Sequence, residues 1–148
     1  MSDYREEMNQ AYWEGFIRFM ATEYPHFRFG TASKESYQIV PPVLRSGVQI
    51  AVGMNRKDGE SIRVDVTLTN TPAEWHDQLL RQADEIRREV AIADGHWEWP
   101  PRMGKAEQHI ILRKPVKLDG ARRPQYEWLG EGAHRFHEVF GPRVAALT

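Results

Sequence analysis

Cysteine is absent from the 148-residue chain, which removes disulfides, thiol nucleophiles and every cysteine-containing zinc site. A surplus of one charge is absent too: 20 Lys and Arg stand against 21 Asp and Glu, for a formal net charge of −1. Global attraction to nucleic acid or to an anionic membrane is therefore weak, and either kind of binding needs a local patch. No stretch of about 18 apolar residues occurs, so nothing reads as a transmembrane helix. The opening Met-Ser-Asp-Tyr-Arg-Glu-Glu lacks the apolar core of a secretion signal. The expectation is a cytoplasmic protein with no membrane contact and no cofactor. Phosphate-cradling Gly-x-x-x-x-Gly-Lys loops and nucleophile-elbow serines are missing, which excludes P-loop and α/β-hydrolase chemistry. Repeats and low-complexity tracts are absent as well.

What remains is ample for a core. Apolar residues make up 41% and aromatics 11%, and a chain of this length buries roughly 68–70% of its unfolded surface. Residues 1–148 read as one domain. Met8, Tyr12, Trp13, Phe16, Ile17, Met20 and Tyr24 follow helical spacing up to Pro25, which ends the helix. Tyr37–Val40 reads as a short strand stopped by Pro41-Pro42. Val48–Met54 and Ile62–Leu68 alternate about Asp58-Gly59, a hairpin turn signal; the second strand turns Arg63, Asp65 and Thr67 outward, onto a solvated face. Thr71-Pro72-Ala73-Glu74 predicts a capping box and a helix running to about Ala93 before Asp94-Gly95. Strands follow at His96–Trp99 and Glu107–Lys114, then a polar basic loop over 115–124. A last helix spans about Gln125–Leu147, with Gly141-Pro142 kinking or breaking it. The fold class is α+β, an antiparallel sheet of about five strands with three helices in the order α-β-β-β-α-β-β-α.

Three groups of residues carry candidate chemistry. The basic run Arg113, Lys114, Lys117, Arg122 and Arg123, opposed only by Asp119, straddles a strand end and a loop, where phosphate contacts are often made. Trp97, Trp99 and Arg102 form an aromatic and cationic group suited to a partner interface or to unpaired bases. Restriction-type cleavage needs carboxylates on neighbouring strands, in an acid-x-Lys pattern, to hold Mg²⁺. Asp65, Glu98 and Lys105 are the residues that could serve, but no acid-x-Lys falls on an expected strand. His134 and His137 share a helical face without a third zinc ligand and read as surface and boundary residues. Ala51 and Gly53 leave room on the outer face of their strand for another element or a second protomer.

Taken together, Tyr12-Trp13 with Phe16, Ser46-Gly47, Ile62-Arg63-Val64-Asp65-Val66, Gln78-Leu79-Leu80 with Ile86, Trp97-Glu98-Trp99, Lys105, and Phe136 with Phe140, Pro142 and Arg143 carry a resemblance. Across nearly its whole length the chain resembles an uncharacterised bacterial domain family often found C-terminal to restriction-endonuclease-like nuclease domains. The strand acid is more often Glu in that family, where this chain has Asp65. The resemblance implies a role beside a nuclease and supplies no catalytic residues. The expected function is a non-catalytic accessory module that binds a partner protein, weakly binds nucleic acid, or does both, in a nuclease-linked defence setting. The alternatives are a divergent metal-dependent nuclease using Asp65, Glu98 and Lys105, and a self-associating structural domain forming homodimers.

Overall fold

The computed structural model describes residues 3–57, 59–100 and 106–148. Helix α1 (Asp3–Glu23) leads into β1 (Tyr37–Arg45), β2 (Val48–Asn55) and β3 (Ser61–Thr69). Helices α2 (Ala73–Leu80) and α3 (Ala83–Val90) follow, then β4 (His96–Glu98), β5 (Glu107–Pro115) and α4 (Arg122–Ala145). The five strands form one antiparallel sheet in the order β1-β2-β3-β5-β4. The α+β class and the five-stranded antiparallel sheet agree with the sequence. The number of helices does not: four are present among the described residues, and two of them lie between β3 and β4.

Alternation decides which face is which. Val48, Ile50, Val52 and Met54 of β2 align with Leu68, Val66, Val64 and Ile62 of β3, and β3 pairs Val64 with Leu112 and Val66 with Ile110. These residues are fully or nearly fully buried and merge into one cluster with Tyr12, Trp13, Phe16, Leu79, Ile86, Val90, Leu129 and Phe136 from all four helices. The outward-facing Ile39, Ala51 and Ile111 do not join that cluster. The helices therefore sit together on the inner face of the sheet.

Several sequence expectations need correction. Strand β1 continues through Pro41-Pro42, joined by a cis peptide, to Arg45; its pairing with β2 shifts between Val40 and Arg45. It is an edge strand, where a missing N–H costs no ladder partner on the open side. The capping box does not form: Pro72 is the cap residue of α2 and no side chain caps it, while the Thr71 hydroxyl is buried without a hydrogen-bond partner among the described residues. The single long helix is broken at Arg81 and Gln82, and it ends at Ala91 in the left-handed region, short of Ala93. Helix α4 begins earlier than expected, taking in Arg122 and Arg123, and runs unbroken through Gly141 and Pro142 to Ala145. Gly141 has no Cβ to meet the following proline ring, so it can keep helical dihedrals ahead of Pro142. Asp58 lies outside the described residues, and the adjoining Gly59 has φ +80°, as a hairpin turn requires.

Candidate functional site

The basic run is divided in space. Arg113 and Lys114 are neighbours on β5 and point to opposite faces. Arg113 Nε donates to Glu98 Oε2 at 2.7 Å, and Lys114 Nζ meets Asp94 at 2.7 Å. Lys117 is exposed on the loop that follows. Arg122 and Arg123 occupy the first turn of α4, with the Arg122 guanidinium 4.9 Å from the centre of the Tyr12 ring and Arg123 5.4 Å from that of Phe19.

That position brings Arg122 and Arg123 against α1, where other cations wait. Residues 5, 9, 12, 15 and 19 descend α1 in i, i+3 and i, i+4 steps, while Arg18 lies about 140° round the helix from Arg5. A cleft of ≈ 390 Å³ at one end is lined by Arg18, Phe19, Glu23, Arg122, Arg123 and Tyr126. A second, of ≈ 360 Å³, is lined by Arg5, Asn9, Asn55, Arg56 and Lys57. Tyr12 sits between them and feels the charge of both Arg122 and Arg56. Its phenol donates to Gln125 Oε1 at 2.7 Å, and burial, aided by Tyr126, pushes its ionisation far above the ordinary range. Arg56 Nη2 donates to Asn9 Oδ1 at 2.8 Å, which fixes it beside α1. Arg5, Arg18 and Lys57 have no carboxylate within ion-pair distance among the described residues; Arg123 meets Glu127 at 3.3 Å. Arg5, Arg56 and Lys57 thus gather toward one end of α1 and Arg18, Arg122 and Arg123 toward the other, with Glu23 and Glu127 beside the second group and Asp3, Glu6 and Glu7 lining a further cleft on the same helix. From Arg5 to Arg18 the helix advances roughly 20 Å.

The outer face of the sheet holds a second constellation. Asp65 at the centre of β3 is only 2% exposed, not on a solvated face as its alternation suggests. Its carboxylate accepts from Arg63 Nε at 3.2 Å and Thr67 Oγ1 at 2.8 Å, and His109 Nδ1 lies 3.8 Å away across the β3–β5 ladder. Burial alone would raise the Asp65 pKa; His109, Thr67 and the Arg63 charge outweigh it and hold the carboxyl below its ordinary value. His109 Nε2 faces Glu107 Oε1 at 2.8 Å, and the Asp65 carboxylate raises its imidazole pKa against a smaller effect of burial. Gly53 makes room for this arrangement: a Cβ there would strike the Arg63 guanidinium. The space beside Gly53 is thus filled by Arg63 of the same chain. Tyr37, Ile39, Gln49, Ala51, Thr67, Glu107 and His109, with Arg63 and Asp65, enclose ≈ 320 Å³.

Of the acids considered for metal chemistry, Asp65 is engaged as above, and Glu98 is held by Arg113 and His96. Asp65 pairs across the sheet with Ala51 and Ile111, and Glu98 with Ile111 on its far side. Lys105 and Arg102 lie outside the described residues. No group of three His, Asp or Glu placed to hold a metal ion occurs among the described residues. Trp97 belongs to the inner face: it stacks on Phe136 with ring centres 5.4 Å apart and on Trp99 at 6.1 Å, and both rings pack against the core. His137 Nε2 faces the Val40 carbonyl at 3.0 Å, and His134 meets Glu138.

Sequence reasoning missed His109, Gln49 and Tyr37 on the sheet face, and Arg5, Arg18, Arg56 and Lys57 beside α1. Arg5 and Arg18 lie about 140° apart on their helix, so its period does not join them, and Arg56 and Lys57 reach α1 only through the fold. No helix among the described residues is long and apolar enough to cross a membrane. No curated protein and no solved structure matches the chain. A family profile described as a domain of unknown function (DUF4268) matches residues 8–144, from within α1 to the last turn of α4, and the chain belongs to that family.

Proposed function

We propose that the protein is a non-catalytic module that binds nucleic acid by its phosphate backbone along α1. The observation that carries this reading is the belt of Arg5, Arg18, Arg56, Lys57, Arg122 and Arg123 around Tyr12. The placement of two of them is informative. Arginines in the first turn of a helix oppose the macrodipole, which favours acids there, and α4 has no acid in its first turn and no capping side chain. Arg122 and Arg123 thus raise the positive potential at a helix end whose N–H groups already favour anions. Stability alone does not call for that choice; an anionic partner does. Aromatic rings beneath the guanidiniums hold both side chains out toward that partner.

The saturated Asp65 supports binding rather than cleavage. A carboxylate already shared by Arg63, Thr67 and His109 has little left to give a divalent ion. In the nuclease-linked setting that the resemblance implies, a partner enzyme supplies the cutting chemistry and this domain supplies affinity. The test is a fluorescence-anisotropy titration with single-stranded and duplex oligonucleotides at low salt, with and without Mg²⁺, followed by electrophoresis of the recovered strands. Binding with intact strands is expected. Cleavage that disappears in a folded Asp65→Ala variant moves the protein to the nuclease alternative.

A further inference from the structure

We propose that the sheet-face pocket holds an unpaired purine base, guanine in preference to the others, presented by the strand whose phosphates lie along α1. The pocket lies one strand position from the belt, so the inference rests on the function proposed above. Ser36 lines the cleft of Arg5, Arg56 and Lys57. The next residue, Tyr37, pairs with Gly53 and lines the sheet-face pocket. A chain leaving the belt at that end reaches the pocket by passing round the β1 edge from the helix side to the outer face.

Charge decides against phosphate as the occupant. Arg63 and His109 face Asp65 and Glu107 there, two cations against two carboxylates when the imidazole is protonated. Both of its carboxylate neighbours favour that form. A neutral pocket gains little from an anion and suits an uncharged ligand with hydrogen-bonding edges.

Shape and donors then narrow the choice. The ≈ 320 Å³ enclosed falls at the lower end of the roughly 300–1,000 Å³ typical of small-molecule sites. Ala51 contributes only a methyl group to its lining. Arg63 lies across Gly53, tied by Nε to Asp65 at 3.2 Å, and its two terminal amines have no hydrogen-bond partner among the described residues. A guanidinium fixed in this way presents a planar fork of N–H donors, the partner that guanine O6 and N7 accept in one plane. Adenine offers an acceptor and a donor at the same two positions and cannot take both. Tyr37, 44% exposed, stands at the rim as a stacking surface, and the Gln49 amide supplies a further donor and acceptor.

The experiment is isothermal titration of the intact protein with guanosine monophosphate, adenosine monophosphate and guanosine, beside an abasic oligonucleotide. Guanosine and its monophosphate are expected to bind alike, and about ten-fold or more tighter than adenosine monophosphate, the discrimination typical of one bidentate pair. Arg63→Lys keeps the charge and loses the fork. It should abolish the base preference and leave abasic-strand binding unchanged. If that variant fails to fold, the exposed Tyr37→Ala carries the same comparison and should weaken guanosine binding. Equal binding of the two monophosphates, no binding of either at millimolar concentration, or a preference that survives Arg63→Lys overturns the proposal. Strand binding without base preference sinks the pocket and spares the belt. Guanosine binding without abasic-strand binding does the reverse.

Discussion

An ionised carboxylate that is 2% exposed survives only where paired and hydrogen-bonded neighbours replace its water, and Asp65 has three. Arg63 and His109 remain partly exposed, at 19% and 35%, so the cluster is worth less than a fully buried pair. Asp65→Asn should cost about 1–3 kcal/mol, below the usual figure for breaking a fully buried ion pair. The pH dependence separates the two titrating groups. The Asp65 pKa is lowered on folding, so its contribution is present above its unfolded value of 3.8 and is lost as pH falls through the lower folded value. The His109 pKa is raised, so its contribution is complete below its unfolded value of 6.5 and is lost as pH rises through the higher folded value. Melting temperatures across this range should show both declines in the wild type, and Asp65→Asn should shrink the acid decline, to which Glu89 and Glu98 also contribute, and flatten the alkaline one. Unchanged profiles would mean that the cluster contributes nothing to folding. Alternation placed Asp65 outward correctly, but period two reports a side and not a depth. One of its neighbours is His109, forty-four residues later, placed there by the β3–β5 register, which no local pattern encodes.

Glycines and helix ends show the same division between local and tertiary control. The spacing of Trp75, Leu79, Ile86 and Val90 gives a helix correctly, yet nothing local marks the break at Gln82. The break coincides with contacts from α4: Arg143 donates to Gln82 Oε1 at 2.9 Å and to both oxygens of Glu89. Helix α3 then closes on Ala91 at φ 54°, ψ 37°, a conformation that costs a residue with Cβ roughly 1–2 kcal/mol. Ala91→Gly should therefore raise stability by about 0.5–1 kcal/mol, glycine's own unfolded-state entropy offsetting part of the relief; an unchanged or lower urea midpoint would contradict this. Gly132 argues in the opposite direction. Helix propensity favours Ala there by about 1 kcal/mol, but a Cβ would lie 2.6 Å from Val64 Cγ2, beneath the α4–β3 contact. Overpacking costs about 1–3 kcal/mol, so Gly132→Ala should lower the midpoint. Adding Val64→Ala should then cost less than it does in the wild type, because the clash and the lost methyl are coupled. Additive losses would show that the helix is not held at that distance by Gly132. The sequence marks Gly132 only as a weak point in a helix; its function as a spacer belongs to packing.

Across the whole molecule a net charge of −1 conceals a strongly uneven distribution. Arg5 and Arg18 come from α1, Arg56 and Lys57 from the end of β2, and Arg122 and Arg123 from α4. Only the last pair stands out in a scan for runs of charge, which is why the linear run Arg113–Arg123 was legible and the belt was not. The run loses Arg113 and Lys114 to carboxylates, so two of its cations are already spent. The salt dependence of binding counts what remains. Each phosphate neutralised on a single strand adds about −0.7 to the slope of log K against log salt. If four of the belt's six cations engage at once, the slope is about −3, in spite of the acidic overall balance. Replacing Arg18, Arg122 and Arg123 together by Ala should bring it to about −1. Thermal stability should move little, since Arg18, Arg122, Arg123 and the Arg123–Glu127 pair are exposed and two positive charges leave a helix N-terminus that disfavours them. Replacing Arg113 and Lys114 is the discriminating control: it breaks two ion pairs and should leave the slope unchanged. A slope that follows Arg113 and Lys114 instead would move the contact surface from α1 to the end of β5, and no binding at low salt would remove nucleic acid as the partner altogether.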